Sequence, residues 1–161
     1  MQLHSISHHD STQGFTLMEV IITITLMSML LGLGLVLSMD VYRGTLYRST
    51  RQVLVSSLTT ARGRSLSNFF QSPHGVCYLA PDFIIFRGTT YSASSPFNET
   101  VPGNPTVTLS STGSFFTCGS GVGIVFSQLA ATTSNTGIIT VSESGHADET
   151  VSANSLGTII W

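Results

Sequence analysis

The chain has 161 residues, six arginines, no lysine and eight acidic side chains, so there is room for one domain and a formal net charge of −2. Charged residues make up only 9% of it, which is unusual for a freely soluble protein. Every arginine lies at or before Arg87, and the ionised residues from Gly88 onward are Glu99, Glu143, Asp148 and Glu149. An acidic second half argues against nucleic-acid binding there, because phosphate contacts need Lys or Arg.

Residues 1–14 are polar and have no apolar core of their own. They do not look like an ordinary secretory signal, whose apolar region precedes the cut. His4, His8 and His9 read as part of this polar leader rather than as a metal tract.

From Phe15 to Met39 there are 25 residues with one charge, Glu19, and no proline. As a helix this run is about 37 Å long, against a hydrocarbon core of about 30 Å. A carboxylate in such a span costs about 2.5 kcal/mol or more at the centre. Two readings of Glu19 are open: it reaches water at the interface, or it has a cationic partner. A free α-amino group on Phe15 would supply that partner if the chain were cut between Gly14 and Phe15. Gly32 and Gly34 either let another helix approach closely or are simply tolerated.

The run Gly14-Phe15-Thr16-Leu17-Met18-Glu19 ahead of an apolar helix resembles the class III signal of type IV pilins and type II secretion pseudopilins. The resemblance implies that a prepilin peptidase cuts after Gly14, removing leader 1–14, and methylates the new N-terminal Phe15. It implies that Glu19 pairs with the N-terminal amine of a neighbouring subunit. Residues 15–39 would then be a transmembrane and assembly helix, held in inner-membrane lipid before entering a filament. Pilin leaders usually carry Lys or Arg, and this one has neither, whereas Arg43, Arg48 and Arg51 follow the span. The positive-inside rule alone would leave the C-terminal side in the cytoplasm. The family implies the opposite, with the head in the periplasm or on an extracellular filament.

Residues 40–70 continue the helix as an amphipathic segment, with no proline before Pro73. Asp40 and Arg43 stand three apart and can pair on one face. Leu54, Leu58 and Ala61 fall at i, i+4 and i+7, with Arg51 and Arg62 outside or beside that stripe. A helix from Phe15 to about Leu66 would run roughly 78 Å. A compact domain of this size has no need of such a helix, but a filament has. Gly44 and Gly63 are soft points along it. Asn68 to Gly75 ends it, with Pro73 and Gly75 as breakers.

Residues 71–161 read as a β-rich head. Val76–Leu79 and Phe83–Phe86 form a hairpin around Ala80-Pro81-Asp82. Thr89 to Pro105 is a polar loop, and Asn98-Glu99-Thr100 within it fits the N-glycosylation pattern, a triplet common by chance. Further strands are expected at Val107–Ser110, Ser114–Cys118, Gly123–Phe126, Gly137–Ser142, Glu149–Ala153 and Thr158–Trp161. Trp161 is expected in a strand packed into the sheet. The fold class is α+β, a long N-terminal helix on a small antiparallel head. Cys77 and Cys118 suggest a disulfide if the head is exported, and two buried free thiols are the alternative.

The stretches Gly123–Ser127, Thr136–Val141 and Val151–Ile159 resemble the heads of the GspH/FimT minor pseudopilins and minor pilins, and Ala61-Arg62-Gly63-Arg64-Ser65 resembles that family's Ala-Arg run. FimT-type proteins that take up DNA use basic residues near the C-terminus. The matching stretch here, Leu156–Ile160, has no arginine. Gly119-Ser120-Gly121-Val122-Gly123 lacks the remaining residues of a nucleotide loop and reads as a strand connection. Glu143, Asp148, Glu149 and His146 gather oxygens that calcium could use, but read as a solvated acidic hairpin. No motif for catalysis or for a cofactor emerges. The sequence thus points to a structural subunit whose partners are other pilin-type subunits, the prepilin peptidase and membrane lipid. The alternatives are a DNA-uptake pilin and a single-pass anchored β domain.

Overall fold

A computed structural model describes residues 14–112, 115–119, 122–145 and 147–161, excluding the side chains of 35–43. Residues 1–13, with His4, His8 and His9, lie outside the described residues, as do Gly113, Ser114, Ser120, Gly121 and His146. The Asp40–Arg43 pairing also falls outside them.

Helix α1 runs from Leu17 to Leu66 without a proline to break it. Thr16 caps its start. The Glu19 amide meets the Thr16 carbonyl at 3.0 Å and the Thr16 hydroxyl at 3.3 Å, so a first-turn donor that the helix cannot satisfy finds a partner. The chain divides between Val41 and Tyr42 into two units that α1 shares. In the first, every described residue from Gly14 to Gly34 is exposed. In the second, α1 buries Tyr47, Thr50, Leu54, Ser57, Leu58, Ala61 and Ser65. Those positions recur at helical spacing, so the stripe anticipated from Leu54, Leu58 and Ala61 is the face turned to the core.

Asn68 enters the left-handed region with φ of 55°, ending regular helix, which Asn tolerates better than most residues. A short 3₁₀ turn, Phe69–Gln71, follows. Strands β1 (His74–Leu79) and β2 (Asp82–Arg87) then pair as an antiparallel hairpin, His74 opposite Arg87 and Leu79 opposite Asp82. The Ala80–Pro81 peptide at its tip is cis.

The expected loop over Thr89–Pro105 requires a correction. It contains β3 (Glu99–Val101), antiparallel to β2 at Phe83–Ile85. Prolines on both sides hid a short edge strand, where a missing donor is tolerated. β4 covers Thr108–Ser111, one residue later than anticipated. The expected strand at Ser114–Cys118 is a second correction. Its described residues form turns with one parallel bridge, Tyr78 to Thr117. The Tyr78 amide donates to the Phe116 carbonyl at 2.8 Å and the Cys118 amide to the Tyr78 carbonyl at 2.9 Å. Contact is confined to that point while Phe116 turns into the core.

β5 (Ile124–Phe126) pairs with β1, completing one sheet in the order β3-β2-β1-β5. β6 (Gly137–Ser142), β7 (Glu149–Ala153) and β8 (Ile159–Ile160) join β4 in the other, ordered β4-β6-β7-β8. β8 is an edge strand on β7, and Trp161 is 63% exposed rather than packed into the sheet. One core holds the buried face of α1 with Phe83 and Phe126 from the first sheet and Ile139, Val141 and Val151 from the second. The other face of the hairpin is covered too: Cys77, Ile84 and Phe86 lie there beneath Tyr91 and Cys118. Burial of both faces explains the continuous apolar run of β2.

Gly123 is one position where this fold needs glycine. Its φ is +72°, and a Cβ would come within 2.5 Å of the Val76 carbonyl oxygen. The glycine-rich run thus ends in a close backbone approach to β1.

Candidate functional site

The residues marked out by the sequence fall into two places. Gly14, Phe15 and Glu19 share the start of α1, and Cys77 and Cys118 meet in the head.

At the helix start, Gly14 is exposed, with nothing within 4 Å of the position a Cβ would take. Phe15 is 84% exposed. Glu19 lies one turn on, at the positive end of the helix dipole, which favours a carboxylate there. Thr16 is the residue that sequence reasoning passed over. Thr16-Leu17-Met18-Glu19 is the Thr-x-x-Glu spacing of a capping box, and the bond from the Glu19 amide to the Thr16 hydroxyl is its backbone half.

Beyond this cap the helix is apolar all round. Leu17, Ile21, Ile24, Met27, Leu30 and Leu33, among others, are exposed on successive faces. The 18 residues Leu17–Gly34 have a mean hydropathy of 2.0, and none of that stretch is buried among the described residues. They span about 27 Å as a helix, close to the hydrocarbon thickness of a bilayer. The hydroxyls inside the run are already satisfied: Thr23 donates to the Val20 carbonyl at 2.9 Å, Thr25 to that of Ile22 at 2.8 Å and Ser28 to that of Thr25 at 2.9 Å. The helix therefore needs no water along this stretch. A helix that is apolar on every face meets either lipid or other apolar helices.

In the head, Cys77 and Cys118 form a disulfide with a Cα–Cα distance of 5.0 Å. It fastens the bridge beside Tyr78 to β1. The candidate acidic hairpin is engaged at its end: Glu149 accepts from Arg51 at 2.5 Å, and the Tyr47 hydroxyl lies 3.0 Å from the carbonyls of both Val141 and Ala147. Burial, and then the charge of Glu149, push the Tyr47 hydroxyl above its ordinary pKa. No group of three or more His, Cys, Asp or Glu able to hold a metal occurs among the described residues. The Asn98 side-chain amide of the glycosylation triplet donates to the Ser92 carbonyl at 2.8 Å.

His74 was not among the candidates. It is buried at the start of β1. Burial, followed by the charge of Arg64, lowers its pKa, with the Ser72 carbonyl opposing and Arg87 reinforcing. Only the tertiary fold brings those groups together.

No curated protein and no solved structure matches the chain. Residues 10–35 match the family model of the prokaryotic N-terminal methylation motif. That segment contains Gly14, Phe15, Thr16, Glu19 and the whole capped, apolar helix start. The chain carries the N-terminal signature of the type IV pilin and pseudopilin family.

Proposed function

We propose that this chain is a structural subunit, a minor pseudopilin or minor pilin of GspH/FimT type, assembled through its N-terminal helix. One observation carries the reading: the methylation motif sits on a helix start, Leu17–Gly34, whose apolar surface is unpartnered among the described residues. Such a surface can be stored in lipid and later exchanged for contact with equivalent helices. The exchange costs little in apolar area, because lipid tails and leucine side chains are alike.

On this reading prepilin peptidase hydrolyses the Gly14–Phe15 bond, and the freed Phe15 amine receives a methyl group. Glu19 then neutralises the amine of a neighbouring subunit, which removes the cost of a lone carboxylate among apolar helices. The span sits in the inner membrane and the head faces the periplasm or the filament exterior. A disulfide between Cys77 and Cys118 suits an oxidising compartment and supports that orientation.

The test is the intact mass of the protein expressed with and without a prepilin peptidase. Loss of residues 1–14 plus one added methyl is the expected result. An unchanged mass, with a peptidase active on a control substrate, would remove the assembly reading and leave an anchored β domain.

A further inference from the structure

Where α1 ends and β1 begins, a small cleft of about 170 Å³ opens among Arg64, Phe70, His74, Arg87 and Phe97. None of the residues at the helix start lines it.

Three features of the cleft point to a ligand. The first is Arg87. Its guanidinium carbon lies 4.5 Å from the Phe97 ring centroid and 5.1 Å from that of Phe70. Two aromatic faces hold the charge, yet among the described residues no carboxylate pairs with it. A guanidinium stacked in this way keeps its N–H edge for a planar acceptor. Arg64, by contrast, is matched by Glu99 at 2.6 Å. The second is His74. It is 3% exposed and lines the cleft, and its Nδ1 is buried without a hydrogen-bond partner among the described residues. Such groups are rare in folded proteins, because an unmet buried acceptor or donor is costly. The third is the backbone. Phe70 has φ of 56° and Gln71 of 51°, a region that bulky side chains seldom adopt. This conformation leaves Phe70 56% exposed, beside Phe97 at 55%.

Arg64, Arg87 and Glu99 leave one positive charge in excess. The occupant should therefore be anionic. The rings ask for an apolar body, and the Arg87 fork for a planar, two-oxygen group, which a carboxylate supplies. We propose that this cleft docks an exposed segment of a partner protein in which a carboxylate side chain stands beside an aromatic or aliphatic one.

The test uses the full chain in detergent, with the side-chain Nε–H signal of Arg87 followed by NMR. The probes are phenylacetate, phenylacetamide, acetate and the blocked dipeptide acetyl-Phe-Glu-amide. Phenylacetate and the dipeptide should shift the Arg87 signal saturably, the dipeptide at lower concentration. Phenylacetamide, which lacks the charge, and acetate, which lacks the ring, should bind at least about tenfold more weakly. Arg87→Gln should weaken the dipeptide by at least about tenfold. Should that variant fail to fold, the wild-type signal still decides. Equal binding of phenylacetate and phenylacetamide, unaltered binding by a folded Arg87→Gln protein, or no saturable shift would overturn the site. Binding of phenylacetate without the dipeptide would overturn the partner-protein assignment.

Discussion

The Ser65 hydroxyl donates to the Phe126 carbonyl at 3.0 Å from a fully buried position at the end of α1. The same oxygen accepts from the His74 amide at 2.9 Å, and the Ser65 carbonyl accepts from the Leu129 amide at 2.9 Å. One small side chain thus ties the helix to β1 and β5 as the chain reverses into the head. Replacing it strands two backbone groups away from water. Ser65→Ala should destabilise the head by about 1–3 kcal/mol, the cost of unmet buried polar groups. Thermal unfolding of the detergent-solubilised chain, followed by near-UV circular dichroism, measures this. A loss within error of zero would show that water or a small shift satisfies both groups.

The disulfide acts by a different route. It joins residues 41 apart, and in the chain-entropy description a loop of that size is worth about 3–4 kcal/mol. Cys118→Ser should lower the unfolding midpoint by more than Ser65→Ala does. It should also free one thiol for titration under denaturing conditions, where the wild type shows none before reduction. Two titratable thiols in unreduced wild-type protein would mean that the bridge does not form.

How much of this could be read from the chain follows from how local each feature is. The Gly14–Glu19 signal and the apolar run are contiguous, so they were legible at once. Leu54, Leu58 and Ala61 were legible because a helix repeats its face at fixed spacing. Strands with both ends marked by turn residues, such as Gly137–Ser142 and Glu149–Ala153, appeared where expected. β3 did not, because Glu99-Thr100-Val101 is short and becomes a strand only by lying along Phe83–Ile85. Ser114–Cys118 misled in the opposite sense. Its aromatic residues have strand propensity, but Phe116 spends its apolar surface in the core without a ladder. The meeting of Arg87 with Phe70 and Phe97 depends on a left-handed turn and a long loop closing together, and no spacing announces that.

His74 gives a pH dependence whose sign can be worked out. Its folded pKa is depressed, by burial first and by Arg64 next. The fold therefore favours the neutral imidazole, while the unfolded chain protonates at the ordinary value of about 6.5. The unfolded state binds more protons below that value, so stability is present above about pH 6.5 and is lost as pH falls below it. Arg64 and Arg87 oppose the incoming charge, and Glu99, paired with Arg64, offsets part of that opposition. The unfolding midpoint should drop between pH 7.5 and pH 5. His74→Gln, which keeps the backbone bond to Ser65, should flatten the drop. Parallel curves for variant and wild type would place the dependence elsewhere.

If Glu19 pairs with a neighbour's amine as proposed, its replacement separates anchoring from assembly. In a bilayer it stands near one end of the apolar run, with its backbone amide held by Thr16. Removing its charge makes the span more apolar, so Glu19→Ala should insert at least as well as wild type. In a filament the same change would leave a neighbour's amine unpaired among apolar helices, and breaking a buried pair costs about 3–5 kcal/mol. Incorporation should therefore fall by at least about a hundredfold if the pair forms there. Membrane fractionation measures the first step, and quantitative immunoblotting of sheared filaments the second. Glu19→Gln should behave like Glu19→Ala if charge is what matters, whereas restored incorporation would mean that a neutral hydrogen bond suffices. Equal incorporation of Glu19→Ala and wild type would sink the pairing. The apolar surface of Leu17–Gly34 would then be left as the sole source of assembly energy in this segment.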